Sequence, residues 1–261
     1  MFYKSKYFFT FMSKQFFGLS LSIAKAEFKL RHEGSYLGVL WYILNPLLMF
    51  LLLLAIFGQK LGSEIQHYPA YLLLGIILYE FFNQITSSSI RAMENNRLLV
   101  KSLSFPYATL VSSNVFRTLF SHIFEMVVFL GLLLYFGISL KFFVFYLPIL
   151  FLFCIFIYGA SLVLASLYVY FIDIENIWLF VSRLVFFGTP IFYAVEPGSK
   201  LFILNLFNPL FYFMTAARST IINQQIPEIW IVLGMLGFSI VSLLIGLLMF
   251  KKLGSRIPEF T

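Results

Sequence analysis

The run IWIVLGMLGFSIVSLLIGLLMF, residues 229–250, contains no charged side chain. An α-helix rises about 1.5 Å per residue, so a run of this length crosses the ~30 Å hydrocarbon core of a bilayer. Further apolar runs of similar length precede it along the chain. None of them alternates polar and apolar residues as the strands of outer-membrane barrels do. The pattern therefore predicts an all-α integral membrane protein.

The composition excludes a soluble domain. Hydrophobic residues make up 61% of the 261 positions and charged residues 11%, against roughly 25% charged residues in soluble proteins. The 35 phenylalanines outnumber the 18 basic and 11 acidic side chains combined. The formal net charge of +7 therefore bears on orientation in a membrane rather than on nucleic-acid binding. Cys154 is the only cysteine, so an intrachain disulfide is excluded.

Six apolar stretches are predicted to cross the bilayer, between a tail at 1–35 and a tail at 251–261. They cover residues 36–58, 68–90, 107–140, 142–172, 177–195 and 229–250. The segments outside them contain twelve Lys and Arg on one side and four on the other, which puts both termini in the cytoplasm. No cleavable signal peptide is expected, because Lys14 interrupts a short aromatic run and no small-residue cleavage site follows.

The segments outside the spans are too short for catalysis by a separate domain. None reaches the ~50 residues that a small independent domain needs. Phosphate-loop, His-Glu-x-x-His and Cys-x-x-Cys motifs are absent from the sequence. We therefore expect no enzyme activity, catalytic residue, metal or cofactor in this chain, and any ATP that drives it must bind to another chain.

Residues 16–33, FFGLSLSIAKAEFKLRHE, precede the first span. Phe17, Leu21, Ala24 and Phe28 follow a 4-3-4 spacing and share one helix face. One interpretation is an amphipathic helix in the cytoplasmic interface, with its basic side chains near anionic headgroups. The other is an ordinary basic segment beside the membrane.

The segment GSYLGVLWYILNPL, residues 34–47, leads into the first span. Gly38 permits a sharp turn, Trp41 can lie at the headgroup level, and Pro46 should kink the helix. The segment resembles the signature of the ABC type-2 permeases that export polysaccharides, in which Ser-x-Leu-Gly-x-x-Trp precedes an Asn-Pro pair. The matching residues are Ser35, Leu37, Gly38, Trp41, Asn45 and Pro46.

The resemblance extends along most of the chain. The segment NNRLLVKSLSFP (95–106) is similar to the cytoplasmic loop that docks on the ATPase subunit in that family. The segments TPIFY (189–193) and NLFNPL (205–210), with Arg218, match the family's extracytoplasmic part. The segment FIDI (171–174) is similar to Phe-Arg-Asp-Ile, but Ile172 replaces the Arg, which weakens an inherited ion-pair role for Asp173.

The resemblance implies a fold and a set of partners. The fold is six transmembrane helices with an amino-terminal interfacial helix, and re-entrant extracytoplasmic helices between spans five and six. The partners are a second copy of the chain, two copies of a separate ATPase that binds ATP and Mg, membrane lipids and a lipid-linked polysaccharide of O-antigen, capsule or teichoic acid type. No nucleic acid is expected. The location is the cytoplasmic (inner) membrane of a bacterium.

The resemblance also assigns candidate sites. Aromatic rings can stack on the apolar faces of sugars, and the conduit lies between the first and fifth spans of two copies. The candidate conduit residues are Trp41, Tyr42, Phe50, Phe186, Phe187, Phe192 and Tyr193. Gly38, Asn45 and Pro46 are predicted to form a kink or gate. The candidate ATPase-coupling residues are Arg97, Leu98, Leu99, Lys101, Leu103 and Phe105, where a short helix would put Leu99 and Leu103 on its apolar face.

Ionisable residues within the apolar stretches have two interpretations. Arg117, His122 and Glu125 lie in the third stretch, where His122 and Glu125 can pair at i,i+3. Such groups mark functional sites, or they stabilise the structure near an interface. We favour the structural interpretation over a proton relay. For Glu80 and Arg183, the sequence leaves open whether the side chain pairs with a neighbour or lies near an interface.

Other functions fit the composition. An exporter of drugs or small lipids would belong to the same family. A membrane-embedded glycosyltransferase or polymerase would need clustered carboxylates or histidines, whereas Glu64, Glu196 and Glu228 stand singly in the predicted extracytoplasmic segments. A membrane scaffold without transport activity is the third alternative.

Overall fold

The computed structural model describes residues 14–30, 38, 40–62, 65–102 and 105–253. Every regular element within these residues is helical, as predicted, and none is a β-strand. The helices are α1 (Lys14–Leu30), α2 (Leu40–Leu61), α3 (Tyr68–Ile90), α4 (Ala92–Asn95), α5 (Arg97–Ser102), α6 (Ala108–Tyr135), a 3₁₀ helix (Leu140–Phe145), α7 (Tyr146–Tyr168), α8 (Ile174–Gly188), α9 (Lys200–Asn205), α10 (Pro209–Ile221) and α11 (Ile229–Leu253).

Four helical stretches in the described part of the chain are long and apolar enough to cross a membrane. They are α2, α6, α11 and the stretch Leu140–Tyr168, which joins the 3₁₀ helix to α7. Helix α3 has the bounds predicted for the second span, but Glu80, Asn83 and Gln84 lower its hydropathy. Helix α8 ends at Gly188 rather than at residue 195, because the residue before Pro190 is disfavoured in helical geometry.

Helix α3 lies at the centre of the bundle and packs against α2, α6, α7, α8 and α10. Every residue from Leu72 to Tyr79 is buried. A helix that is apolar around its whole circumference is covered either by other helices or by lipid. Helices α2 and α11 are strongly apolar but largely exposed, so the central position of α3 is set by how its neighbours pack and not by hydropathy alone.

Helices α7 and α11 pack at close backbone distance. A Cβ atom on Gly159 would overlap the Ser242 carbonyl, and one on Gly246 would overlap the Gly159 carbonyl. Ser239 and Ser242 of α11 donate hydrogen bonds to the carbonyl oxygens of Leu152 and Phe156 at 2.9 and 2.8 Å. Small residues and interhelical hydrogen bonds of this kind hold helices together where the surroundings are apolar.

Helix α1 lies against α6. The Glu27 carboxylate pairs with the Arg117 guanidinium at 2.9 Å, which supports the structural interpretation of Arg117. The buried face of α1 contains Phe16, Ser20 and Ala24, whereas Phe17 is 52% exposed. Helix α1 therefore packs on α6 through the face that contains Phe16, and an interfacial location for the face that contains Phe17 stays a prediction.

Candidate functional site

Four of the predicted conduit residues form one aromatic cluster, two at the end of α8 and two in the segment that follows it. The ring centroids of Phe186 and Phe187 are 5.2 Å apart, and those of Phe192 and Tyr193 are also 5.2 Å apart. Phe192 lies 6.2 Å from both Phe186 and Phe187. These spacings are typical of favourable aromatic pairs. We call Phe186, Phe187, Phe192 and Tyr193 the aromatic cluster.

Two further rings that the sequence interpretation missed join the cluster. Phe57 of α2 stacks on Phe192 with a centroid distance of 5.0 Å. Tyr79 of α3 meets Phe186 edge-on at 4.9 Å. Phe57 lies about three turns beyond the motif that drew attention to the start of α2, so no local pattern indicated its contact. The cluster thus joins the carboxyl-terminal end of α2 to the end of α8.

The backbone that carries the cluster is held by tyrosine side chains. Tyr68 and Tyr71, at the start of α3, donate to the carbonyl oxygens of Phe192 and Tyr193 at 3.0 and 2.9 Å. The Tyr193 hydroxyl donates to the Gly188 carbonyl at 3.0 Å. These bonds satisfy carbonyls that no longer belong to a helix. They fix the non-helical segment 189–193 against α3.

Arg218 of α10 binds the same segment from the buried side. Its guanidinium donates to the carbonyl oxygens of Pro190 at 2.6 Å, Ile191 at 2.8 Å and Tyr71 at 3.1 Å. It also lies 3.4 Å from the centroid of the Tyr71 ring, and Arg218 is only 5% exposed. A buried charge is tolerated when hydrogen bonds of this kind compensate it. Gly75 makes room, because a Cβ there would lie 2.5 Å from Arg218 Nη2.

The three predicted conduit residues of α2 lie apart from the cluster. Tyr42 and Phe50 are 5% and 7% exposed and share the buried face of α2 with Pro46. Tyr42 stacks on Phe28 of α1 at 5.7 Å, about 22 Å along α2 from Phe57. Trp41 is 45% exposed. Tyr42 and Phe50 therefore pack within the chain.

The predicted gate residues differ in exposure. Gly38 has φ +42°, a conformation that favours glycine, and supports the predicted turn before α2. Pro46 is buried beside a narrow crevice that Ile77 and Glu125 also line. Asn45 is exposed, about 100° around the helix from Pro46. The amide of Asn45 thus lies on the outward face of an apolar helix.

Two outward faces of the chain combine exposed apolar side chains with one polar or charged side chain. On α2 the exposed residues Trp41, Asn45, Leu48 and Leu52 follow helical spacing. On α8 the exposed residues Phe180, Arg183 and Phe187 do the same. We call these the α2 stripe and the α8 stripe. A polar group on a lipid-facing surface is costly, so lipid alone is a poor covering for either stripe.

His122 and Glu125 pair as predicted, with 3.2 Å between Nδ1 and Oε2. The Tyr146 hydroxyl lies 2.7 Å from His122 Nε2. His122 and Glu125 are 2% and 3% exposed. The buried groups therefore satisfy one another between α6 and the start of α7. In the described part of the chain, no three His, Cys, Asp or Glu side chains are grouped to hold a metal ion.

The predicted coupling loop forms α4 and α5. Leu98 is 84% exposed, and Arg97 and Lys101 are exposed beside it. Leu99 is half-buried, and Phe105 packs against the cluster of buried residues around Phe16. The outward apolar residue is therefore Leu98 rather than Leu99, because the buried Val100 fixes the opposite face of the helix. Leu103 lies outside the described residues.

One ion pair and two hydrogen bonds connect this loop to its neighbours. Arg91 binds Glu175 of α8 at 2.6 Å. Tyr168, at the end of α7, donates to Glu94 at 2.5 Å, and Asn96 donates to Glu27 of α1 at 3.3 Å. Glu175 thus makes an ion pair at the start of α8. The pairing was not predictable, because Arg91 and Glu175 are distant in the sequence.

Comparison with known proteins agrees with the motifs. A sequence model of the family described as "ABC-2 type transporter" matches residues 19–222. The O-antigen export system permease protein RfbA of Myxococcus xanthus is 26% identical over 250 residues, which cover 94% of this chain and 95% of that protein. Two proteins of the same name from Klebsiella pneumoniae are 27% and 28% identical, over 93% of this chain and 95% of each relative. With a match over most of its length, the chain belongs to the ABC-2 type transporter family.

Proposed function

We propose that this chain is the membrane-spanning subunit of an exporter that moves a lipid-linked polysaccharide of O-antigen or capsule type across the bacterial cytoplasmic membrane. ATP hydrolysis in a separate subunit drives the movement. The observation that carries this proposal is similarity to O-antigen export permeases over 93–94% of the chain. Similarity restricted to one motif would have suggested only the family.

The proposed arrangement has six membrane crossings, made by α2, α3, α6, α7, α8 and α11. Helices α9 and α10 then lie between the fifth and sixth crossings as re-entrant segments. Their lengths of 6 and 13 residues are too short to span a bilayer. Ten residues of α10 are buried, which supports insertion among the other helices. The excess of Lys and Arg in the terminal tails and the α4–α5 loop supports cytoplasmic termini.

In the proposed conduit, two copies of the chain face each other through their α2 and α8 stripes. Trp41 and Phe187 are exposed and would contact the passing glycan directly. Tyr193 is half-buried and would contribute from the edge of the aromatic cluster. Stacking on sugar faces requires no fixed hydrogen-bond register, so a polymer can slide along the rings. Tyr42 and Phe50 would support the wall from within rather than touch the glycan.

In the proposed coupling, α5 docks on the ATPase subunit through Leu98, with Arg97 and Lys101 at the rim. An apolar anchor surrounded by charge is typical of specific interfaces. ATP and Mg would bind entirely within that subunit. The Arg91–Glu175 pair connects the loop to the start of α8, so a displacement of the loop would act on the conduit wall.

The test combines the permease with its neighbouring ABC ATPase. The two should co-purify, and the permease should change the ATPase rate. Alanine at Trp41, Phe187 and Tyr193 together should reduce polysaccharide export while assembly with the ATPase persists. Phe151→Ala is the matched control, since Phe151 is equally exposed on α7, away from both stripes.

The outcomes separate the alternatives. A permease that binds no ABC ATPase would contradict the proposal and favour a scaffold or a membrane-embedded glycosyltransferase. Full export by the triple variant would remove the stacking role. ATPase stimulation by drugs or short lipids, but not by a lipid-linked glycan, would favour the other exporter class.

A further inference from the structure

Arg183 is exposed on a helix that has no other basic residue. No residue that the structure describes bonds its guanidinium, by ion pair or by hydrogen bond. On the same face, Phe180 and Phe187 lie one turn to either side and are 62% and 65% exposed. An unpaired cation between two exposed apolar rings requires an anionic partner from outside the described chain.

The position of Arg183 along the helix bundle follows from a hydrogen bond of the preceding residue, Ser182. Tyr79 donates a hydrogen bond to the carbonyl of Ser182 at 2.7 Å. Tyr79 is the middle residue of α3 (Tyr68–Ile90), so about 16 Å of helix separates it from either end. Arg183 therefore lies alongside the centre of the bundle. In the proposed six-span arrangement the ends of α3 mark the two interfaces, and that distance is too great for the Arg183 side chain to reach either by snorkelling.

A second copy of the chain is a poor source of the missing anion. The described carboxylates nearest to this depth are Glu80 and Glu125. Glu125 is 3% exposed and bonded to His122. Glu80 shares its helix face with Leu73 and Ile77, which line the crevice beside Pro46, so it is directed towards α2 rather than α8.

We propose that Arg183 binds an anionic phosphate ester of the transported molecule, at the point where its glycan joins the lipid. This inference rests on the proposed function. The guanidinium fork matches phosphate oxygens and bonds them through two parallel hydrogen bonds. Two copies of the chain supply two such cations at the same depth. The α8 stripe thus holds the charged group of the substrate between aromatic rings.

The experiment uses farnesyl diphosphate as the probe and farnesol as its uncharged counterpart. Full-length permease is placed in phosphatidylcholine nanodiscs, and binding is measured by calorimetry. Farnesyl diphosphate should bind more tightly than farnesol. Arg183→Gln should weaken the diphosphate about 10-fold to 100-fold and leave farnesol unchanged, because only charge-assisted hydrogen bonds are lost. Arg183→Lys should recover part of the affinity, and Lys200→Gln, which removes another exposed cation, should retain all of it.

Three results would overturn the inference. The first is equal diphosphate affinity in Arg183→Gln and the unmodified protein. The second is competition by phosphatidylglycerol in the nanodisc that disappears in Arg183→Gln, which would identify a membrane lipid headgroup as the anion. The third is recovery of a lost dimer when Arg183→Glu is combined with Glu80→Arg, which would identify a pair between copies.

The same preparation distinguishes failure of this inference from failure of the proposed function. Unmodified permease that engages its ATPase and exports polysaccharide, but binds farnesyl diphosphate no better than farnesol, refutes the role of Arg183 alone. Unmodified permease that never engages an ATPase refutes the proposed function first.

Discussion

Replacement of Arg218 by leucine should loosen the segment that carries the aromatic cluster. The Ile191 carbonyl would lose the donor that binds it at 2.8 Å, at a cost of about 1–3 kcal/mol. The Pro190 carbonyl would keep only the Tyr71 hydroxyl at 3.4 Å, and the Tyr71 carbonyl would keep its helical partner. Loss of the cation–π contact with Tyr71 adds up to ~2 kcal/mol. Relief of the buried charge offsets part of this, so we expect a net destabilisation of about 2–4 kcal/mol.

Thermal unfolding in nanodiscs measures this effect. A loss of this size should lower the midpoint by roughly 5–15 °C for a chain of this length. Tyr71→Phe is the matched control, since it removes one hydroxyl but keeps the ring under the guanidinium, and should cost only about 1 kcal/mol. Gly75→Ala should destabilise the unmodified protein and be better tolerated with Arg218→Leu, because the added Cβ meets Nη2 of Arg218. A midpoint for Arg218→Leu equal to that of the unmodified protein would refute the tethering role.

The remaining predictions concern the cytoplasmic side and the buried histidine. Leu98→Asp should abolish stimulation of the ATPase without lowering the unfolding midpoint. Val100→Asp should lower the midpoint, because Val100 is buried. Equal midpoints in the two variants would contradict the assignment of faces. Arg91→Glu should reduce the polysaccharide exported per ATP hydrolysed, and Glu175→Arg should restore it in combination; no recovery would remove the ion pair from the coupling path. Tyr146→Phe should cost about 1–3 kcal/mol in thermal unfolding, since it leaves His122 with one fewer buried partner, and an unchanged midpoint would mean that the pair does not need the hydroxyl.

The helices were largely predictable because length and hydropathy set them. The bounds of α3 match the predicted second span, and the start of α11 matches the sixth. The early end of α8 could also have been predicted, because Pro190 disfavours helical geometry at Thr189. The predicted span ran to residue 195 because it was based on apolarity alone. The family resemblance indicated the four residues of the aromatic cluster, which form two adjacent pairs in the sequence.

The orientation of side chains was less predictable. Both faces of α2 are apolar, so hydropathy could not distinguish the buried Tyr42 and Phe50 from the exposed Leu48. In a soluble helix the polar face would have supplied that information. The contacts of Arg218 with segment 189–193 and of Arg91 with Glu175 join residues far apart in the chain, and no local spacing indicates them. Motif resemblance located the coupling loop, but only the burial of Val100 identified Leu98 as its outward residue.

The close seam between α7 and α11 bears on how motion in this protein can be measured. Gly159 and Gly246 leave no space for a methyl group, so the two helices cannot slide past each other without breaking backbone contact. They form a rigid frame on the side of the bundle away from α2. Fluorophores fixed to α7 and α11 should therefore hold a constant separation throughout a transport cycle. Distances from a third dye on α8 could then be measured against that pair. The contact between α7 and α11 would thus serve as an internal distance standard in single-molecule experiments.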